Sequence, residues 1–423
     1  MAPAQPAGAP APRDGRIPAS CAHGCQNRDF SLYVHIPFCS VRCGYCDFNT
    51  YATEDFGGGI GLGTYADDAI AEIFFAARAL EASGVVKRPL HTVFFGGGTP
   101  TKLPAYDLVR ILRTAIDIFG IEDGAEVTTE ANPDSVTYED LQTLKDGGFT
   151  RVSFGMQSVV PEVLKVLDRT HTPENVPKVV AWARDIGLQV SIDLIYGSPS
   201  ETLEQWEQSV QAAISYQPDH ISAYSLIVED GTKLAAQIRR GEYTMPDDDL
   251  MADMYLRAED LLMQAGYRWY EVSNYSRSEH TRSDHNMAYW RNQDWWGIGP
   301  GAHSHINGTR WWNLKHPVPY AYRVRAGQSP AAAREILDSD SRSFETIMLL
   351  IRVREGLPMH ELLAVHPAAD LGSSLRWLLS QGLIESDVFT DTGMPNPDAS
   401  VKLTLQGRLL GYAVTRELLP DIK

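Results

Sequence analysis

After position 46 the chain has no cysteine: all five, Cys21, Cys25, Cys39, Cys43 and Cys46, are crowded into the first 46 of 423 residues. A disulfide framework would spread its cysteines through the fold, so none is expected. Positive charge is also scarce. The 37 Lys and Arg face 54 Asp and Glu, for a net charge of −17. That field repels a phosphate backbone and no basic patch interrupts it, so nucleic acid is not an expected partner. No apolar run approaches the ~18 residues of a membrane span. The opening MAPAQPAGAPAPRDGR has no apolar signal core. These absences predict a soluble, cytoplasmic protein that does not span a membrane, with peripheral contact to one left open.

At 43% hydrophobic, the chain can bury a large core and more than one domain. Residues 1–29 read as a disordered Pro/Ala-rich tail. CAHGC, with Cys21 and Cys25, falls within it, metal binding being the alternative. From residue 30, short apolar runs alternate with amphipathic stretches. SLYVHI (31–36), HTVFFG (91–96), AEVTTE (125–130), TRVSFG (150–155), LQVSIDLIYG (188–197) and HISAYSL (220–226) read as buried strands. Helices are expected from Thr64, with Asp67 completing a capping box, from about Pro104 to Gly120, and from Thr137 to Gly147-Gly148.

Strands joined by helical crossovers pair in parallel with right-handed connections. The fold class is therefore α/β: a partial (β/α)6 barrel over 30–226. Residues 227–340 extend it. Residues 341–423 change pattern to three helical stretches, GLIESD, a turn-rich insert, VKLTL and a last helix. That order suggests an α+β winged-helix-like module. Its 8 Lys/Arg against 10 Asp/Glu favour a structural or docking role over DNA binding.

In such barrels the chemistry lies at the C-terminal ends of the strands. The unusual residues fall there. A Cys-x3-Cys-x2-Cys loop follows strand one, and GGGTP (96–100) follows strand two. Glu130 ends strand three, Gln157 follows strand four, and Asp193 stands late in strand five. GGGTP is no phosphate loop, since it lacks the Gly-Lys-Ser/Thr ending. Its glycines admit close backbone approach. Cys39, Cys43 and Cys46 have no fourth partner, because Asp47 follows directly. Three thiolates on a cubane iron–sulfur cluster leave one iron open for a small ligand. A zinc site short of a ligand, or three core cysteines, are the alternatives.

The loop, with Tyr45 before its last cysteine, resembles the radical S-adenosylmethionine (SAM) superfamily. HIPFC…CGYCDF, FFGGGTPT, TEANPDS, RVSFGMQS, DRTHT, IDLIYGSPSET and HNMAYW occur in order over about 30–310. Together they resemble the coproporphyrinogen III oxidase-like branch, and within it the heme chaperones. The resemblance implies a [4Fe-4S] cluster on the three cysteines. The methionine part of SAM would chelate its open iron, and an electron from the cluster would release a 5′-deoxyadenosyl radical. Tyr33, Tyr45, Gly97, Gly98, Thr99, Glu130, Gln157, Arg169 and Asp193 would contact SAM, with Ile227 and Ala302 as further contacts.

For function, the resemblance implies a heme chaperone that binds heme, the cluster and SAM and delivers heme to respiratory hemoproteins, with the cluster tied to homodimer formation. The alternatives are an oxygen-independent coproporphyrinogen III dehydrogenase or a related radical SAM methyltransferase. The dehydrogenases carry a further cysteine just after the third and a long substrate-binding N-terminal segment; here Asp47-Phe48 follow and only the Pro/Ala-rich tail precedes. HNMAYW (285–290) matches a His-Asn-x-x-Tyr-Trp element of the chaperones. A neutral imidazole suits ferric heme, and five of the nine tryptophans lie between 290 and 312. His285 is thus an expected heme ligand, with His303 and His305 as alternates.

Overall fold

A computed structural model describes residues 7–419. The expected strands form: β1 (Phe30–Ile36), β2 (Leu90–Gly97), β3 (Ile121–Ala131), β4 (Arg151–Gln157), β5 (Gln189–Tyr196) and β6 (His220–Ser225). Each pairs in parallel with the next. The crossovers carry helices α1 (Leu62–Ala82), α2 (Ala105–Phe119), α3 (Tyr138–Gly147), α4 (Asn175–Ile186) and α5 (Leu203–Ser215).

Strand periodicity sorts the side chains onto two faces. Leu32, Val34, Val93, Phe95, Val127, Val152, Phe154, Val190 and Ile192 point outward and join the main core with α1 residues Ala69, Ile73 and Ala76. The alternate residues, including Tyr33, Phe94, Thr128, Glu130, Ser153, Ser191 and Asp193, line an interior cavity. The concave face mixes polar with aromatic and apolar side chains, unlike the packed interior of a closed eightfold barrel.

The region 227–340 does more than extend one end. It adds β7 (Arg268–Glu271) and β8 (Asn274–Ser276) antiparallel beyond β6. On the opposite edge, β9 (Asp294–Ile298) runs parallel to β1. An antiparallel ribbon follows: β10 (His303–Ile306), β11 (Thr309–Asn313) and β12 (Ala331–Ile336). Among the described residues this makes one open sheet of 13 strands.

Two expectations need correction. From residue 7 the N-terminal segment is packed, not a disordered tail; residues 1–6 lie outside the described residues. Ala9–Pro10 pair with the far edge strand β12, an edge position where proline's missing N–H is tolerated. Ile17, Cys21 and Cys25 are buried in the main core. Arg88 Nη1 donates to the Cys25 and Arg28 carbonyls at 2.6 and 2.9 Å, and Arg28 and Arg88 share Asp294 at 2.7 and 2.8 Å. The Pro/Ala bias hid these few anchors. The second correction is at α1, whose N-cap is Gly61 rather than Thr64. Thr64 lies one turn in, and its hydroxyl accepts from Gly61 N–H at 3.3 Å. Asp67 instead pairs with Arg110.

After α6 (Asp284–Trp290), which carries His285, and the ribbon comes α7 (Ser339–Leu350). A second core then forms around Ile347, Leu357, Leu375, Leu383, Val401 and Val414. Here Leu357–Pro358 pair with Ser400–Val401, and the GLIESD and VKLTL stretches meet at Ile384 and Leu403. Arg408 joins this unit to the barrel, bonding Glu259 at 2.7 and 3.0 Å and lying 4.3 Å over Trp269.

Candidate functional site

The three cysteines sit on the loop after β1, at the mouth of a cavity of about 850 Å³. Backbone bonds shape this loop. Cys39 N–H donates to Tyr51 O at 2.9 Å, Cys46 N–H to Cys43 O at 3.2 Å, and Gly44 N–H to Leu167 O at 3.3 Å. Tyr45 packs on a satellite apolar cluster that includes Val163, Leu167, Ile195 and Leu226.

GGGTP braces the same loop. Gly98 N–H donates to Ile36 O and Thr99 N–H to Phe38 O, both at 2.8 Å. A Cβ at Gly98 would stand 2.6 Å from the Phe38 carbonyl oxygen, so no side chain fits there. The Thr99 hydroxyl donates to Cys39 Sγ at 3.9 Å. Burial pushes the Cys39 thiol up to about 11, and the Cys46 thiol upward as well. Without a bound cation these two thiols stay protonated, and a metal cluster is the kind of charge that deprotonates them.

The cavity also carries half-buried carboxylates. Glu130 Oε2 accepts from Gly97 N–H at 3.1 Å. Burial, then the nearby Asp193 charge, pushes Glu130 up to about 8. Asp193 is raised by burial and held back by hydrogen bonds from Ser153, at 2.8 Å, and Ser222. Two such groups facing one cavity suit a cationic, hydroxyl-bearing ligand.

Gln157 ends β4 with φ +65°, in the left-handed region that costs a non-glycine residue energy. Its buried Oε1 has no hydrogen-bond partner, and neither has the buried Nε of Arg169. Arg169 Nη2 donates to Gly155 O at 2.6 Å and Nη1 reaches Cys43 Sγ at 3.6 Å. These two buried atoms face the cavity and are free to bond a ligand there.

The structure thus brings Tyr33, Cys39, Cys43, Tyr45, Cys46, Gly97, Gly98, Thr99, Glu130, Gln157, Arg169, Asp193, Ile227 and His285 to one cavity. Ala302 is separate and lines a neighbouring cavity. His285 is 1% exposed. Its Nδ1 is bonded to Thr92 Oγ1 at 2.7 Å and its Nε2 to Tyr289 Oη at 2.9 Å.

Sequence reasoning missed His171. It lines the cavity, both its ring nitrogens are buried without a partner, and burial beside Arg169 lowers it to about 4. Its place two residues after Arg169 in DRTHT was the available signal.

Among the described residues no three His, Cys, Asp or Glu side chains converge closely enough for a single ion.

The Radical SAM superfamily matches residues 33–213. The heme chaperone HemW of Mycobacterium tuberculosis (strain ATCC 25618 / H37Rv) is 42% identical over 395 residues, covering 92% of this chain and 95% of that protein. The heme chaperone HemW of Bacillus subtilis (strain 168) is 31% identical over 397 residues, covering 93% and 100%. Among solved structures, coproporphyrinogen III oxidase (HemN) from Escherichia coli, a radical SAM enzyme, superposes with a TM-score of 0.77. It is 23% identical and covers 96% of this chain and 93% of that one, a likeness of fold.

Proposed function

Because the chain belongs to the HemW family of the radical SAM superfamily, we propose that it is a heme carrier that also holds a [4Fe-4S] cluster and SAM. Cys39, Cys43 and Cys46 hold the cluster. Tyr33, Tyr45, Gly97, Gly98, Thr99, Glu130, Gln157, Arg169 and Asp193 hold SAM. When bound, the cluster supplies an open iron and a low-potential electron. The chain's own residues position and shield the ligand. Arg169 offers a carboxylate partner, Glu130 and Asp193 accept from ammonium or ribose hydroxyls, and Tyr45 covers the adenine.

One observation carries the cofactor reading: the three cysteines, with no fourth, lie at the mouth of a cavity lined by all nine residues expected to hold SAM. The carrier reading rests on the family and on Asp47-Phe48 where the dehydrogenases have a further cysteine. Delivery of heme to respiratory hemoproteins, a cluster-dependent homodimer, a cytoplasmic location and a separate module over 341–423 belong to the same proposal. Among the described residues no helix is long and apolar enough to cross a membrane.

The experiment is an anaerobic incubation of the reconstituted protein with coproporphyrinogen III, SAM and a reductant. No decarboxylated porphyrin product is expected. Steady product formation would replace the carrier with the dehydrogenase reading.

A further inference from the structure

A second cavity, of about 680 Å³, lies between the concave face of β1, β9, β10 and β11 and helix α7. It shares Tyr33, Asp47, Phe48, Gly97, Glu130 and Tyr289 with the cofactor cavity. We propose that this groove is where heme binds, with the His303 imidazole as the protein ligand to its iron. The inference rests on the carrier reading and names the site within it.

His285 is poorly placed for that ligand role. Both its nitrogens are bonded, and freeing Nε2 would strand the buried phenol of Tyr289. Phe94 stacks on its ring at 5.0 Å and Tyr289 closes the edge at 4.8 Å, which leaves no width for a porphyrin. His305 is also engaged. Its Nδ1 is bonded to Gln293 O at 2.9 Å, and its Nε2 accepts from Gly308 N–H at 2.8 Å.

His303 differs on each count. It is exposed at the groove. Among the described residues neither ring nitrogen has a hydrogen-bond partner, and the ring is steadied by stacking on Trp312 at 5.9 Å. Partial burial, then Lys315 and Arg310, lowers its pKa, so the neutral form that ligates iron prevails.

The walls suit a flat apolar ring. Trp295 is held by its Nε1–H bond to His303 O at 3.0 Å, and Phe48, Met348 and Leu349 complete the lining. Lys315 brings positive charge for a propionate, whereas Arg310 is already paired with Glu335 and Glu345. The acids present are Asp47, Glu130 and Glu345, the last already paired with Arg310. The interior of the barrel, by contrast, presents Thr128, Arg151, Ser191, His220 and Ser222 to its cavity, a poor surface for a porphyrin face.

The test is an anaerobic hemin titration of the full, cluster-reconstituted chain and its His303→Ala variant, with resonance Raman spectra of the ferric heme. The variant is expected to lose the histidine-ligated signature and bind hemin at least ten-fold more weakly. Added imidazole should restore the wild-type Soret position. An unchanged spectrum and affinity, or no rescue by imidazole, would overturn the assignment while leaving the carrier reading intact. Should wild type fail to bind hemin saturably, the carrier reading itself falls and takes this site with it. If His303→Ala loses its cluster, Lys315→Glu decides: weaker hemin binding supports the groove, and unaltered binding contradicts it.

Discussion

The Arg169 guanidinium stands 3.6 Å from the Cys43 sulfur while its other nitrogen holds Gly155 at the end of β4. One side chain therefore ties the cysteine loop to the strand whose last residue, Gln157, carries an unpartnered amide oxygen. Arg169→Lys keeps the charge but loses the planar fork. SAM affinity should fall about ten-fold or more, ~1.4 kcal/mol, with cluster content retained. Calorimetric titration of SAM into the reconstituted variant checks this; wild-type affinity would remove Arg169 from the SAM site.

Cys43→Ser removes one of three thiolates. Iron and sulfide content and the cluster's visible absorption should collapse after anaerobic reconstitution. Full retention would end the ligand assignment.

Glu130 supplies a pH test. Its folded pKa of about 8 lies above the ~4.3 of an unfolded glutamate. The folded state therefore holds the extra proton, and stability is lost as pH rises from the lower value through the upper one. Ligand-free Glu130→Gln should match wild type near pH 4 and be more stable by a few kcal/mol, ~1.4 per pH unit at most, near pH 8.5. Thermal melts at both values read the difference. A constant gap would mean that folding leaves the Glu130 pKa unshifted.

Asp294 is fully buried between Arg28 and Arg88. Asp294→Ala leaves two arginines without their partner and should cost ~3–5 kcal/mol. Urea unfolding measures it. A loss under ~1 kcal/mol would mean that the N-terminal segment is held by its apolar anchors alone.

The six barrel strands were legible because β-branched and aromatic residues alternate there over six or more positions, bounded by glycine or a capped helix. Most of the candidate site residues could be singled out because they fall at or just after the C-terminal ends of those strands. Three things were not. The N-terminal segment docks through Ile17, Cys21, Cys25 and Arg28, isolated anchors in a Pro/Ala background. The ribbon around Trp295, His303 and Arg310 is made of strands of four to six residues, too short to show a period. The HNMAYW element favoured His285 over His303, and only tertiary contacts distinguish a doubly bonded core histidine from one open to a groove.

The carrier claim is met most directly by titrating cluster-reconstituted protein with hemin under anaerobic conditions and following the Soret band. A saturable shift to a protein-bound spectrum at a fixed heme-to-protein ratio is expected. A band that tracks free hemin at every addition would contradict it.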